Sequence, residues 1–408
     1  MKRQIALRLL ILLQGMVLLL GSSATVQAAA PESNELHAAS AVVMEAESGR
    51  ILYEKNGSEQ RAMASTTKIM TLLVALEYGD MDQLVTISAK AASQPKVNMK
   101  TREGETFRLR DLLYAMMLMS YNDTAVAIAE GVAGSVEDFC YLMNLKAREL
   151  GAYQTHFVTP NGLDAEGHYS TAVDMALIAK AALADEEAMH IMGTRSYTIE
   201  AGNGNSRSVS LTNKNPLLSS YTAAVGGKTG FTAEAGLCLV GLAERDGTQL
   251  ITVVLGSGWP PHSNYRVADT LKLFSYGFND FYQYDIDLTQ LDEQIKVEVS
   301  GGYEAVVGTK IQGSVRYYME QDDEISLYYD LPYVVAAPVQ AGDILGQAAV
   351  CVNGKVIDYV DVIAAESAEE KSFRRELWKV AEYVYRSILP SAAADLAEPA
   401  KSGSEGDW

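Results

Sequence analysis

Apolar and polar positions alternate along this chain in three recognisable rhythms. A strongly apolar run is Ile69-Met70-Thr71-Leu72-Leu73-Val74-Ala75-Leu76, opened by Ala64-Ser65-Thr66-Thr67-Lys68 and ended at Gly79. Ser and Thr favour helix starts, and a run apolar on every side predicts a helix buried all round. Leu112, Leu113, Met116, Met117 and Leu118 recur at i, i+3 and i+4, predicting a second helix from Asp111 that carries Ser120 to the wall of a cleft. Asn122-Asp123 reads as the cap of a third helix, Thr124 to Val132. Helical spacing returns at 135–150, 170–184 and Val267 to Phe274, the last ending at Gly277.

Strand signals sit at both ends of this helical stretch. Ala41 to Met44 and Ile51 to Tyr53 flank Glu47-Ser48-Gly49-Arg50 as a hairpin, and residues 84–87 form a brief strand. Leu237 to Ala243 and Leu250 to Leu255 are joined through Arg245-Asp246-Gly247, an Asp-Gly hairpin signal. Strands bracketing a helix-rich middle predict an α/β sheet with helices on its faces.

The rhythm changes after Tyr284. Residues 285–366 are short β runs broken by Gly301-Gly302, Gly308, Gly342 and Asn353-Gly354, which predicts a small β-sandwich with a spacing or docking role. Residues 367–390 then return to helical spacing. Phe373, Leu377, Val380, Ala381, Val384 and Ile388 form one stripe; Lys371, Arg374, Arg375, Lys379 and Arg386 lie off it. A basic amphipathic helix with interspersed aromatics fits a membrane surface; the alternative is a helix packed on its own protein. The Ala/Ser/Glu/Gly-rich residues 391–408 read as a disordered tail.

Charge and leader sequence place the chain. Met1-Lys2-Arg3 and Arg8 precede an apolar core, Leu9 to Leu20, and Val26-Gln27-Ala28 supplies small residues for cleavage. Residues 1–28 therefore read as a secretory signal peptide, or, if uncleaved, an N-terminal anchor. The chain carries a net charge of −19 over 408 residues. Nucleic acid is a poor partner for such a chain, since its phosphates demand Lys and Arg patches. Cys140, Cys238 and Cys351 are too few and too scattered for a disulfide framework and read as small buried apolar residues. The five histidines show no His-Glu-x-x-His spacing, and there is no Gly-x-Ser-x-Gly elbow or phosphate-binding glycine loop. No metal or organic cofactor is expected.

The candidate chemistry begins at Ser65 and Lys68, which share one helix face at i and i+3. A serine alcohol needs a neighbouring base, and a lysine can be that base only when burial or a nearby cation lowers its pKa. Alone the pair is a weak signal. It is followed in order by Ser120-Tyr121-Asn122 and by Lys228-Thr229-Gly230 in a glycine-rich strand. Serine with lysine, then Ser-x-Asn, then Lys-Thr-Gly is the motif set of penicillin-binding proteins and class A β-lactamases.

On these motifs, with Pro160-Asn161-Gly162-Leu163 and Glu234-Ala235-Gly236 in support, the chain resembles the secreted serine D-alanyl-D-alanine carboxypeptidases, the low-molecular-mass penicillin-binding proteins. The resemblance covers about residues 36–285 by motif and extends to 390 by layout. It implies a β-lactamase/transpeptidase-like catalytic domain over 29–284, an antiparallel sheet with helices on both faces and a helical subdomain. It further implies that Ser65 attacks the carbonyl between two D-alanines of a peptidoglycan stem peptide, with Lys68 as base and Ser120 relaying a proton to the leaving nitrogen. Asn122 would orient Lys68 and the substrate amide. Lys228, Thr229 and Arg266 would receive the substrate carboxylate, and the backbone N–H groups of Ser65 and Phe231 would form the oxyanion hole. β-Lactam antibiotics would be covalent inhibitors. The protein would be exported and attached through its C-terminal helix to the outer face of the cytoplasmic membrane. A β-lactamase on the same fold and an inactive penicillin-binding scaffold are the competing readings; the chain lacks the Glu-x-x-Leu-Asn deacylation motif of the first and keeps all three motifs that the second could lose.

Overall fold

The computed structural model describes residues 30–200, 207–262 and 264–388. The expected signal peptide and tail fall outside the described residues. The chain divides into two compact units at Tyr282/Gln283.

In the first unit β1 (Ser40–Glu45) and β2 (Ile51–Lys55) form the opening hairpin. A 3-10 turn, Ala64–Thr67, runs into α1 (Lys68–Tyr78). β3 (Leu84–Thr86), α2 (Ala89–Ala92) and β4 (Thr106–Arg108) lead to α3 (Leu109–Met119), α4 (Asn122–Ala133) and α5 (Val136–Glu149). Next come α6 (Ala172–Leu183), α7 (Glu186–Gly193), β5 (Ser196–Ile199), β6 (Val209–Thr212) and α8 (Leu217–Ser220). β7 (Ala224–Thr232), β8 (Gly236–Arg245) and β9 (Thr248–Leu255) precede α9 (Tyr265–Asp280).

The main sheet has the order β2-β1-β9-β8-β7, antiparallel throughout. Asp246 and Gly247 (φ 53° and 82°) make the two-residue turn between β8 and β9, the left-handed geometry that Asp-Gly favours. Side chains alternate between the faces with period two. Val42, Met44, Val240, Leu242, Ile251 and Val253 join the core formed with α1, α3, α4 and α6. On the other face α9 packs close, with Gly277 against Leu250 and Val43, and Thr270 against Gly241. Helices thus cover both faces, as the fold expectation required.

Two helix limits differ from the sequence reading. α9 continues through Gly277 to Asp280, because that residue lies inside the helix–sheet contact. α4 begins at Asn122, with Tyr121 in the capping position. The Asn122 side chain is thereby freed from capping and used elsewhere.

α1 is buried along most of its length, from Lys68 to Ala75. Burying one Leu or Ile side chain stabilises by about 1.5–3 kcal/mol. That scale matters because Lys68 opens the same helix and is itself 0% exposed.

The second unit is β-rich. β10 (Tyr282–Asp287) pairs with β13 (Ser314–Met319). The remaining strands are β11 (Lys296–Ser300), β12 (Val306–Ile311), β14 (Ile325–Asp330), β15 (Val334–Ala336), β16 (Ile344–Val352) and β17 (Lys355–Ala364). They form one sheet ordered β14-β16-β17-β12-β11-β15, and Asn353-Gly354 turns β16 into β17. α10 (Phe373–Ile388) follows, and every side chain described from 371 to 387 is exposed. Among the described residues no helix is long and apolar enough to cross a membrane.

Candidate active site

The Ala64–Thr67 turn is 3-10, and in that geometry side chains at i and i+3 eclipse. Ser65 and Lys68 therefore meet directly, with Lys68 Nζ 2.9 Å from Ser65 Oγ. The amine has two other oxygen neighbours, Asn122 Oδ1 at 3.0 Å and the Asn161 main-chain carbonyl at 2.5 Å. Both are acceptors only. A neutral amine donates two N–H groups and keeps one lone pair. Asn122 and Asn161 take the two protons, so the lone pair is left for the Ser65 hydroxyl.

The electrostatics favour that neutral form. Burial holds the Lys68 pKa well below its ordinary value, and the nearby Lys228 charge pushes the same way against a smaller opposing pull from Asp123. Lys228 lies on β7 and is also buried. Burial lowers its pKa to about 7, with Arg266 contributing.

Lys228 Nζ donates to Ser120 Oγ at 3.0 Å and to its neighbour's carbonyl, Thr229 O, at 3.1 Å. Ser120 ends α3 in the left-handed region, φ 64°, which turns the chain sharply into α4. With its oxygen occupied by the Lys228 N–H, the Ser120 hydroxyl proton is free to be given away.

Asn122 does a second job. Its Nδ2 donates to Pro95 O at 3.2 Å and its backbone N–H to Val97 O at 2.7 Å. Asp123, fully buried, accepts from Met99 N, Thr101 N and Thr101 Oγ1. The 95–101 segment is thus laced to the start of α4.

Ser65, Ser120, Asn122, Thr229, Phe231 and Arg266 all line one cleft of about 320 Å³. Lys68 and Lys228 lie buried beneath it. Arg266 Nη1 donates to Gly230 O at 3.0 Å. Gly230 is pressed against the nucleophile turn: a Cβ there would stand 3.1 Å from Met63 O, Ala64 Cβ and Ser65 N. The Ser65 N–H belongs to the first helical turn, where amides have no intrahelical acceptor. Phe231 follows Gly230 on β7 and lines the same cleft as Ser65.

Sequence reasoning missed three contributors. The Asn161 carbonyl is a main-chain group, and the turn signal at Pro160-Asn161-Gly162 said nothing about what it would face. Lys96 and Lys214 also line the cleft. With Arg266 they give it three cations, and no carboxylate is among its lining residues, in a chain of net charge −19. The three cysteines are free and buried, and burial raises the Cys140 and Cys238 thiols to about 12 and 11. Thiols so held, at Cys140 and Cys238, are poor nucleophiles. Among the described residues no cluster is suited to a metal ion.

A family model described as D-alanyl-D-alanine carboxypeptidase matches residues 25–258. The chain is 32% identical to the D-alanyl-D-alanine carboxypeptidase DacF of Bacillus subtilis, over 82% of this chain and 87% of that protein. It is 33% identical to DacC of Escherichia coli, over 85% and 88%. Among solved structures, penicillin binding protein 5 from Haemophilus influenzae superposes with a TM-score of 0.65 at 26% identity, over 84% of this chain and 100% of that one. The DacD carboxypeptidase from Francisella tularensis gives 0.66 at 26% identity, over 84% and 96%. This chain belongs to the D-alanyl-D-alanine carboxypeptidase family, the serine enzymes of the low-molecular-mass penicillin-binding type.

Proposed function

We propose that this enzyme removes the terminal D-alanine from peptidoglycan stem peptides through an acyl-enzyme on Ser65. The observation that carries this reading is the Lys68 amine, buried and held by two carbonyl oxygens beside the Ser65 hydroxyl. Lys68 takes the hydroxyl proton as Oγ attacks the carbonyl between the two D-alanines. The Ser65 and Phe231 N–H groups receive the oxyanion. As the C–N bond breaks, Ser120 gives its proton to the leaving nitrogen and takes in its place the proton that Lys68 had accepted, so free D-alanine departs and the amine is neutral again. Water, activated by the same amine, then hydrolyses the ester. Lys228, Thr229 and Arg266 receive the terminal carboxylate of the substrate.

A β-lactam presents an amide and a carboxylate to the same groups and acylates Ser65. Among the described residues no carboxylate lines the cleft to drive fast deacylation, so the adduct persists. Ser65→Ala should abolish D-alanine release from a peptide ending in D-Ala-D-Ala; full release by that variant would defeat the reading.

The enzyme works outside the cytoplasm, following removal of residues 1–28, with residues 29–284 as its catalytic domain. α10 supports attachment to the outer face of the cytoplasmic membrane. Its Phe373, Leu377, Val380 and Val384 are all exposed along one stripe, while Arg375 and Lys379 stack on Tyr303. A stripe of that size left open to water suits an interface of lipid headgroups.

A further inference from the structure

We propose that His168 is a positioning residue for acyl transfer, locking the turn that carries the Asn161 carbonyl onto the segment that carries Ser65 and Lys68. This rests on the Ser65 reading above. His168 is 6% exposed and does not line the cleft. Its Nδ1 faces two donors, Val158 N at 3.0 Å and Thr159 N at 3.4 Å. Nδ1 must therefore be unprotonated, and the ring proton sits on Nε2. That Nε2–H donates to Thr67 Oγ1 at 3.0 Å.

Thr67 is fully buried and stands between Ser65 and Lys68 in the nucleophile turn. One helical turn on, Thr71 Oγ1 donates to Pro160 O at 2.6 Å. The two ties hold the 158–160 stretch that leads into Asn161, whose carbonyl accepts an N–H from Lys68 at 2.5 Å. Pro160 is tied directly to α1, whereas Val158 and Thr159 reach the nucleophile turn through the imidazole. A protonated ring would turn Nδ1–H against the Val158 N–H. Burial prevents this by lowering the His168 pKa to about 4, against a smaller opposing effect of Asp164.

Without the tie the Asn161 carbonyl drifts, and the amine loses the partner that fixes its lone pair on Ser65. Small misplacements of a reacting pair cost rate rather than affinity.

The test compares wild type, Thr67→Val, His168→Leu, His168→Gln and the Thr67→Val/His168→Leu double variant. Acylation by a labelled penicillin is timed, and kcat and KM are measured on a D-Ala-D-Ala peptide. Thr67→Val keeps the shape and removes only the acceptor. It should slow acylation about tenfold or more, in kcat with KM little changed. His168→Leu should do the same, and the double variant should be no slower than the slower single one. His168→Gln, whose amide can accept from Val158 and donate to Thr67, should stay within about threefold of wild type. Wild-type acylation by Thr67→Val, multiplying effects in the double variant, or no recovery in His168→Gln would overturn the proposal. Absence of label on Ser65 of the wild type would overturn the Ser65 reading and this inference together.

Discussion

Asn161 accepts an N–H from Lys68 at 2.5 Å through its main-chain carbonyl, so the catalytic amine is oriented by backbone as well as by the Asn122 side chain. That carbonyl is placed by the next residue. Gly162 has φ +80°, and a Cβ there would stand 2.0 Å from Ala64 O. Contacts under 3.0 Å to backbone force a shift. Gly162→Ala should therefore move the whole 160–163 turn away from the nucleophile. We expect a loss of at least about 1–3 kcal/mol of stability from the backbone conformation and the clash. D-alanine release should fall by more than tenfold, roughly, even at temperatures where the variant is folded. Thermal unfolding together with kcat measured well below Tm checks both; a variant with normal activity would show that Asn161 does not orient the amine.

Lys228 should impose the basic limb of the pH profile. Its protonated form is the one that attracts a carboxylate, and its pKa is lowered to about 7. kcat/KM, which reports the free enzyme, should fall as pH rises through that value. Lys228→Arg keeps its charge at high pH and should lose that limb while keeping part of the activity. The same shift acts on stability. Between about pH 7 and the unfolded value near 10.4 the unfolded chain binds the extra proton, so wild-type stability rises with pH in that window, by about 1.4 kcal/mol per unit from this group. Denaturant titrations at two pH values in the window should show a flatter response for Lys228→Met.

Truncation before Lys371 tests the membrane assignment. The shortened protein should release D-alanine in solution at the full rate, because the cleft residues all lie in the first unit. It should no longer co-sediment with anionic vesicles that pull down the mature chain. Equal sedimentation of both forms would remove α10 from the account.

Much of this architecture could be read in the residues. The run from Ile69 to Leu76 identified the buried helix because nothing polar interrupts its surface except Thr71, whose hydroxyl finds Pro160. Asp246-Gly247 and Asn353-Gly354 marked their hairpins because both turns need left-handed backbone. What could not be read was mostly main-chain or long-range. The Asn161 carbonyl has no sequence signature. Lys96 and Lys214 reach the cleft from segments with no motif. The short pair β5 and β6 and the helices α7 and α8 went unread because each is brief and takes its stability from neighbours rather than from its own periodicity.

The central claim is that a neutral, buried Lys68 makes Ser65 reactive. Intact-mass measurement after exposure to a penicillin, with the modified peptide mapped, tests it most directly. Wild type should gain one drug mass on the peptide containing Ser65, and Lys68→Met, folded and equally stable, should gain essentially none in the same time. An adduct on any other residue, or equal labelling of Lys68→Met, would contradict the account.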